Sequence, residues 1–342
     1  MNIFVRLQHV EALRRFAGIF KTLDGILFGV REVTAGAPHI RDHIEIKRFM
    51  SIAIIALLPA AGASIWFYGW DAVKMIVTSY VCGGIVEVLF ALIRKRDIEE
   101  GFLVTGLIFP LVLPPTAPLW VVAVGVVFGV FFGKEVFGGT GRNIFNPALV
   151  GRLFITLAFP GIMSSAWKVP FADAITSATP LAVWKSTHEA APYLDLLFGG
   201  VAGSMGEIFR VGILAGGILL ILTRVANWRV PVFYLASTAV FALLGNLVLP
   251  NTVAPPLFQI LSGGLLFGAL FMATDPVTSP ITRGGKLAFG VAAGFLTVLI
   301  RSISGFTEGV MFSIVFLNAL TPLIDHVAMS VRYKSGKPGV KR

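Results

Sequence analysis

The run Asp173-Ala174-Ile175-Thr176-Ser177-Ala178-Thr179, followed by Pro180, lies in a polar interval of a very apolar chain. Thr179 closes a small, turn-prone segment, so its hydroxyl has little steric cover and is free to form a phosphoester; the plainer alternative is a Thr-Pro turn. A second polar group, Gly203-Ser204-Met205-Gly206-Glu207, opens the next apolar segment. Free N–H groups at a helix start, with glycines allowing close approach, suit a phosphate or a polyol chain. Glu207 could instead cap that helix. A third group is the glycine-rich bend from Gly138 to Asn146, which carries Arg142, Asn143 and Asn146. Three-residue spacing on a helical turn would point the two amides the same way and offer donor–acceptor pairs to a flat heterocycle, or the amides cap a broken helix.

Carboxylates and aromatics supply the remaining candidates. Asp275 and Asp325 sit at the ends of apolar segments, where a carboxylate is usually paired or serves ions; Asp275 before Pro276 could also be a turn. Phe267 and Phe271 are four apart and share one helix face, which ordinary packing would also explain. Glu99 and Glu100 read as solvated loop charges or as part of a site. His39, His43, His188 and His326 are scattered, so no metal is assigned, and the single Cys82 excludes a disulfide framework.

The elements that must hold these groups are membrane helices. Of 342 residues, 56% are hydrophobic and 13% are charged, about half the charge of a soluble domain. That leaves too little polar surface to cover a globule, and the expected class is an all-α polytopic membrane protein. Spans are predicted at 49–69, 72–93, 102–113, 118–133, 145–160, 207–224, 230–249, 257–274, 286–302 and 308–328. The third and fifth are short and meet Pro114-Pro115 and Asn146-Pro147, so broken helices are expected where backbone lines a cavity. The net charge of +10 gathers at segment ends and not in a nucleic-acid-binding patch. Basic residues on alternate connections predict both termini on the cytoplasmic side and the interval 161–206 outside. The expected organisation is a basic N-terminal segment 1–48, a five-helix half 49–160, the external loop 161–206, a second five-helix half 207–328 and a basic tail 329–342. Residues 1–48 hold eight Lys/Arg and no sustained apolar run, which does not read as a cleavable signal peptide. Residues 10–30 are amphipathic and basic, as in a surface helix or a lid. Pro118-Leu119-Trp120, Phe128-Gly129 and Gly138-Gly139 echo Pro256-Leu257-Phe258, Phe267-Gly268 and Gly284-Gly285, which suggests an internal repeat. Halves with five spans each must be inverted, placing functional groups near the midplane between them.

Six ordered stretches carry a family resemblance. They are Arg41-Asp42 through Lys47-Arg48-Phe49-Met50, Glu100-Gly101-Phe102-Leu103-Val104-Thr105-Gly106, and Gly138-Gly139-Thr140-Gly141-Arg142-Asn143-Ile144-Phe145-Asn146-Pro147-Ala148; further on come Ser177-Ala178-Thr179-Pro180-Leu181, Gly203-Ser204-Met205-Gly206-Glu207 and Phe271-Met272-Ala273-Thr274-Asp275-Pro276-Val277. Together they resemble the B subunits of bacterial Na+-translocating NADH:quinone oxidoreductases. The related D subunits of the Rnf ferredoxin-linked complex share the Thr motif but typically differ in the Gly-Arg-Asn segment and lack the N-terminal stretch. The resemblance implies FMN joined through its phosphate to Thr179, with Asp173, Thr176, Ser177, Ser204, Gly206 and Glu207 around it. Ser177 stands where the family has Gly, and Thr176 where it has Ser. It further implies a non-covalent riboflavin at Arg142, Asn143 and Asn146, and quinone near Glu100, Gly101 and Gly106. A sodium path would run through Phe267, Phe271, Asp275 and Asp325. The implied partners are the other subunits of a six-subunit inner-membrane complex, among them a second covalent-FMN subunit and one carrying NADH, FAD and Fe–S sites, since this chain has no dinucleotide-binding fingerprint. The competing readings are an Rnf-type electron carrier and a cofactor-free inverted-repeat channel or permease.

Overall fold

A computed structural model describes residues 46–95, 101–171 and 177–335. Asp173, Thr176 and Glu100 lie outside the described residues, as do the amphipathic 10–30 segment and the basic tail after residue 335. Among the described residues all regular structure is helical, and six helices are long and apolar enough to cross a membrane.

The helices are α1 (Ile46–Tyr68), α2 (Trp70–Arg94), α3 (Gly101–Leu111), α4 (Leu119–Gly133), α5 (Pro147–Ala158), α6 (Pro160–Ser165), α7 (Pro180–Thr187), α8 (Tyr193–Phe198), α9 (Arg210–Leu222), α10 (Arg229–Val248), α11 (Pro256–Leu261), α12 (Leu265–Phe267), α13 (Arg283–Ile303) and α14 (Val310–Ser335). Each of the ten predicted intervals contains helix. Three of these helices, α3, α5 and α9, are shorter than a full span. The eighth interval is broken: α11 ends at Leu261, Gly263 takes a left-handed φ of 62°, and a π-helical turn over Gly268–Met272 follows α12. Large apolar side chains such as Leu243, Leu247 and Val248 stand exposed on the outside, as a surface facing lipid requires.

The same packing recurs in two sets of elements. α2 packs on α3 and α4, and α4 on α5; α10 packs on α11, the π turn and α13, and α13 on α14. α1 and α5 both touch α3, while α9 and α14 both touch the π turn. The broken span therefore occupies the place of α3 and not of α4. The residue repeat noted above pairs α4 with α11 and the π turn, so it does not mark structurally equivalent positions; Gly- and Phe-rich helices share composition without sharing neighbours.

Glycine sets the closest helix pairs. Gly125, Gly129 and Gly133 form one stripe on α4 against α5; a Cβ at Gly129 would stand 2.5 Å from the Pro147 carbonyl oxygen. In the other set, Gly290 on α13 meets the Val230 carbonyl and the Tyr234 amide of α10, where an added Cβ would lie 2.9 and 3.1 Å away.

Candidate functional site

Two sites form at opposite ends of the bundle core. The first is the elbow between α4 and α5. Gly138, Gly139 and Gly141 have φ of 115°, 101° and 85°, which only glycine adopts freely, and they turn the chain so that α5 runs back beside α4. Asn146 then caps α5: its side-chain oxygen accepts from Ala148 N (3.1 Å) and Leu149 N (3.4 Å), and its Nδ2 donates to Asp275 Oδ2 (3.3 Å). Asn143 holds the bend, accepting from Gly141 N (3.2 Å) and donating to the Phe145 carbonyl (3.0 Å). The expected helical turn is absent, yet the elbow brings both amides to one cavity with Gly101, Phe271 and Asp275. The cavity measures about 80 Å³. That holds waters or a hydrated ion and is well below the ~300 Å³ of a usual organic-ligand pocket.

Other predicted residues stay outside this cavity. Arg142 is exposed, and Gly106 packs against the Tyr80 ring. Asp325 is 9% exposed and receives Ile281 N (2.8 Å), Thr282 N (3.0 Å) and the Thr282 hydroxyl. It thus anchors the loop before α13, away from Asp275. A buried ion pair lies beside the cavity: Lys134, which lines it and counts in the sequence among the basic residues of the connections, pairs with Glu87 of α2, which sequence reading missed. A charged residue inside an apolar segment was the available signal at Glu87.

The second site surrounds Thr179. This residue caps α7, its Oγ1 accepting from Ala182 N at 3.3 Å, and is half-buried. It lies on the rim of two adjoining cavities, about 30 and 520 Å³, both also lined by Arg152, Trp167 and Glu308. Glu207 lines the smaller one. The helix-start reading of Gly203–Glu207 needs correction. α9 begins only at Arg210, and the amides of Met205 and Gly206 are spent on the Leu113 (3.1 Å) and Leu111 (2.6 Å) carbonyls. This loop completes the open end of α3. Glu207 closes it by accepting from Ser204 N at 3.4 Å.

Beneath Thr179 lies a buried ionic cluster. Arg152 faces Glu207 at 3.7 Å, and Arg301 pairs with Glu308 at 2.9 Å. Arg301 also donates to the Gln259 and Ser262 carbonyls, at 2.6 and 3.1 Å, and Arg210 donates to the Leu196 carbonyl. Three guanidinium groups against two carboxylates leave one surplus positive charge. Several polar atoms here are buried without a hydrogen-bond partner among the described residues: Arg152 Nε, Arg210 Nε, Glu207 Oε1, Ser177 Oγ and Ser204 Oγ. Native interiors rarely leave so many together, and such a group invites a polar ligand. Arg152 and Glu308 were missed in the sequence; Arg152 stands inside a predicted span, which was the signal. On the exposed side of the site, Lys185 donates to the Ser304 carbonyl (2.8 Å), and burial and then Arg301 push its pKa down.

The match to known sequences follows this geometry. The family described as NQR2, RnfD, RnfE matches residues 33–334. The chain belongs to that family. Among relatives of this NQR2/RnfD/RnfE member, the B subunit of the Na(+)-translocating NADH-quinone reductase of Klebsiella pneumoniae subsp. pneumoniae is 34% identical over 394 residues, covering 96% of each chain. The protein of the same name from Azotobacter vinelandii is 35% identical over 375 residues, with 94% of this chain and 93% of the relative covered. That from Yersinia pestis is 34% identical over 398 residues, 96% of each. Family membership and the six long apolar helices make the chain a multi-pass membrane protein.

Proposed function

We propose that this chain is the flavin-carrying membrane subunit of a Na+-translocating NADH:quinone oxidoreductase, with FMN esterified to Thr179 on the external side of the inner membrane and both termini cytoplasmic. The observation that carries the reading is Thr179 itself, a half-buried hydroxyl on the rim of a 520 Å³ cavity over an arginine-rich cluster with unpartnered donors. The residues suit FMN. The cavity has ligand-pocket dimensions, the surplus positive charge favours an anionic group, and a phosphoester at Thr179 would sit at the start of α7, where helix amides favour negative charge. Bound there, the flavin would supply stepwise electron transfer. The chain's part is to orient it: Arg152 and Arg210 offer spare N–H groups, Ser177 and Ser204 offer hydroxyls, and Trp167 supplies an aromatic wall.

Asn143 and Asn146 would hold a riboflavin at the elbow, which would supply a second one-electron relay, and quinone would bind near Glu100, Gly101 and Gly106, its reduction coupled to outward Na+ movement. The Asn143 and Asn146 amides match a flavin's polar edge by type, while the 80 Å³ elbow cavity does not match its volume. The riboflavin assignment thus rests on the amides and on family likeness. Phe267 and Phe271 stack at 5.2 Å, and Asp275 faces the elbow cavity, an arrangement that suits a constriction above a cation-binding carboxylate. The equivalent packing of the two element sets supports inverted halves. NADH oxidation and the first electron transfers belong to partner subunits.

Thr179→Ala in the assembled complex should abolish the fluorescence of this chain in a denaturing gel; a band that stays fluorescent sinks the assignment. The family description also covers RnfD. That second reading keeps the covalent flavin but predicts no quinone reduction by the complex, which a direct quinone assay decides.

A further inference from the structure

At the elbow end, a cavity of about 800 Å³ opens between the α9–α10 turn and the start of α13, adjoining the elbow cavity through Val225, Ala226, Thr274 and Pro276. Arg224, Arg229, Arg283 and Lys286 line it, with Trp228 and Ile281 at its mouth. Among the described residues no carboxylate is in its lining. None of the four cations takes part in an ion pair among the described residues. The nearest anchored carboxylate, Asp325, is occupied by two amides and a hydroxyl of residues 281–282. Basic residues at the ends of membrane helices normally splay into water. Here the chain converges them instead. Arg224 holds a left-handed φ of 60°, which closes the turn after α9, and Arg229 is laid over the Trp228 ring at 4.9 Å. Ile281 is 83% exposed beside them. A concave site with four unpaired cations, an interfacial tryptophan and an exposed aliphatic rim matches an amphiphile whose head is anionic and whose body is apolar.

We propose that this cavity binds the phosphodiester headgroup of an anionic phospholipid, with the acyl chains passing Ile281 into the bilayer. Arg229 and Lys286 are half-buried and hold the phosphate, while the exposed Arg224 and Arg283 screen it from the rim. The inference depends on the membrane setting and not on any flavin, so the two readings fail separately.

The test uses the assembled complex, purified in one detergent with the wild-type chain, with Arg229→Gln/Lys286→Gln, and with Arg229→Lys. Lipid mass spectrometry counts phosphatidylglycerol, cardiolipin and phosphatidylethanolamine per chain. The proposal expects at least a threefold loss of anionic lipid in the double variant, unchanged phosphatidylethanolamine, and near wild-type retention in Arg229→Lys. Equal anionic lipid in wild type and double variant overturns it. A double variant that keeps its lipid but sheds a partner subunit also overturns it, and identifies a protein contact. A second arm needs no variant. Delipidated wild-type complex should gain thermal stability with phosphatidylglycerol but not with inorganic phosphate at equal charge; an equal gain with phosphate would make this a soluble-anion site and overturn the lipid assignment.

Discussion

The two ends of the core solve opposite problems. Around Thr179 the chain has room and charge to spare: a 520 Å³ cavity, three buried arginines and a set of polar atoms left without partners. At the elbow the space is about 80 Å³, and the amides of Asn143 and Asn146 already serve the bend and the start of α5. The contrast teaches that a polar side chain in a membrane core either completes the fold or waits for a guest, and hydrogen-bond accounting tells the two apart. A roomy site exposed at the rim holds a guest best through a covalent bond. A tight site built from capped amides favours small or reversibly held species.

The sharpest way to break this contrast is at the anchors. Thr179→Ala should remove all gel fluorescence, whereas Asn146→Ala should leave it intact and lower only the flavin released by acid extraction. Loss of the fluorescent band in Asn146→Ala would end the separation of the two ends. Next in size is Arg301→Met, which strands Glu308 in the interior. Breaking such a pair costs about 3–5 kcal/mol, so the thermal midpoint of the purified complex should fall clearly; an unchanged midpoint would mean that the cluster carries no stability. Gly129→Ala forces a methyl onto the Pro147 carbonyl. Overpacking of this kind costs about 1–3 kcal/mol, and the elbow should loosen while gel fluorescence at Thr179 persists. Asn146→Ala itself should cost about 1 kcal/mol through the lost cap. The smallest effect is in pH. Lys185 has a depressed pKa, so above that value the folded chain sheds a proton that the unfolded chain still binds, and stability should rise slightly toward the ordinary lysine range. Lys185→Met should flatten that slope in thermal denaturation followed against pH.

The sequence made the helices legible because lipid demands long apolar runs, and every predicted interval contains helix. Thr179, Asn143 and Asn146 were legible because each follows or ends a cluster of turn residues. The break at Ser262–Gly264 was not, since Gly263 and Gly264 resemble any glycine pair until their neighbours are known. Nor was the cap that Met205 and Gly206 place on α3, because those residues and Leu111 are far apart in the chain and nothing local links them. The Arg152–Glu207 pair was hidden for the same reason, since only packing of α5 against the 203–210 loop joins it, whereas Arg301 and Glu308 are seven residues apart and meet because the chain turns back after α13.

The stacked rings of Phe267 and Phe271 have an electrical consequence. Phe271 lines the elbow cavity, and Phe267 lies under Gly206, in the loop that walls the Thr179 site. Where water fills both cavities, each takes nearly the potential of its own side, and the transmembrane voltage drops across the rings rather than across the ~30 Å hydrocarbon thickness. A cation moving past two phenyl rings then works against most of the ~2.3 kcal/mol that each 100 mV imposes on a unit charge. On the proposed sodium path, water in both cavities would narrow the membrane's capacitor to this pair of side chains.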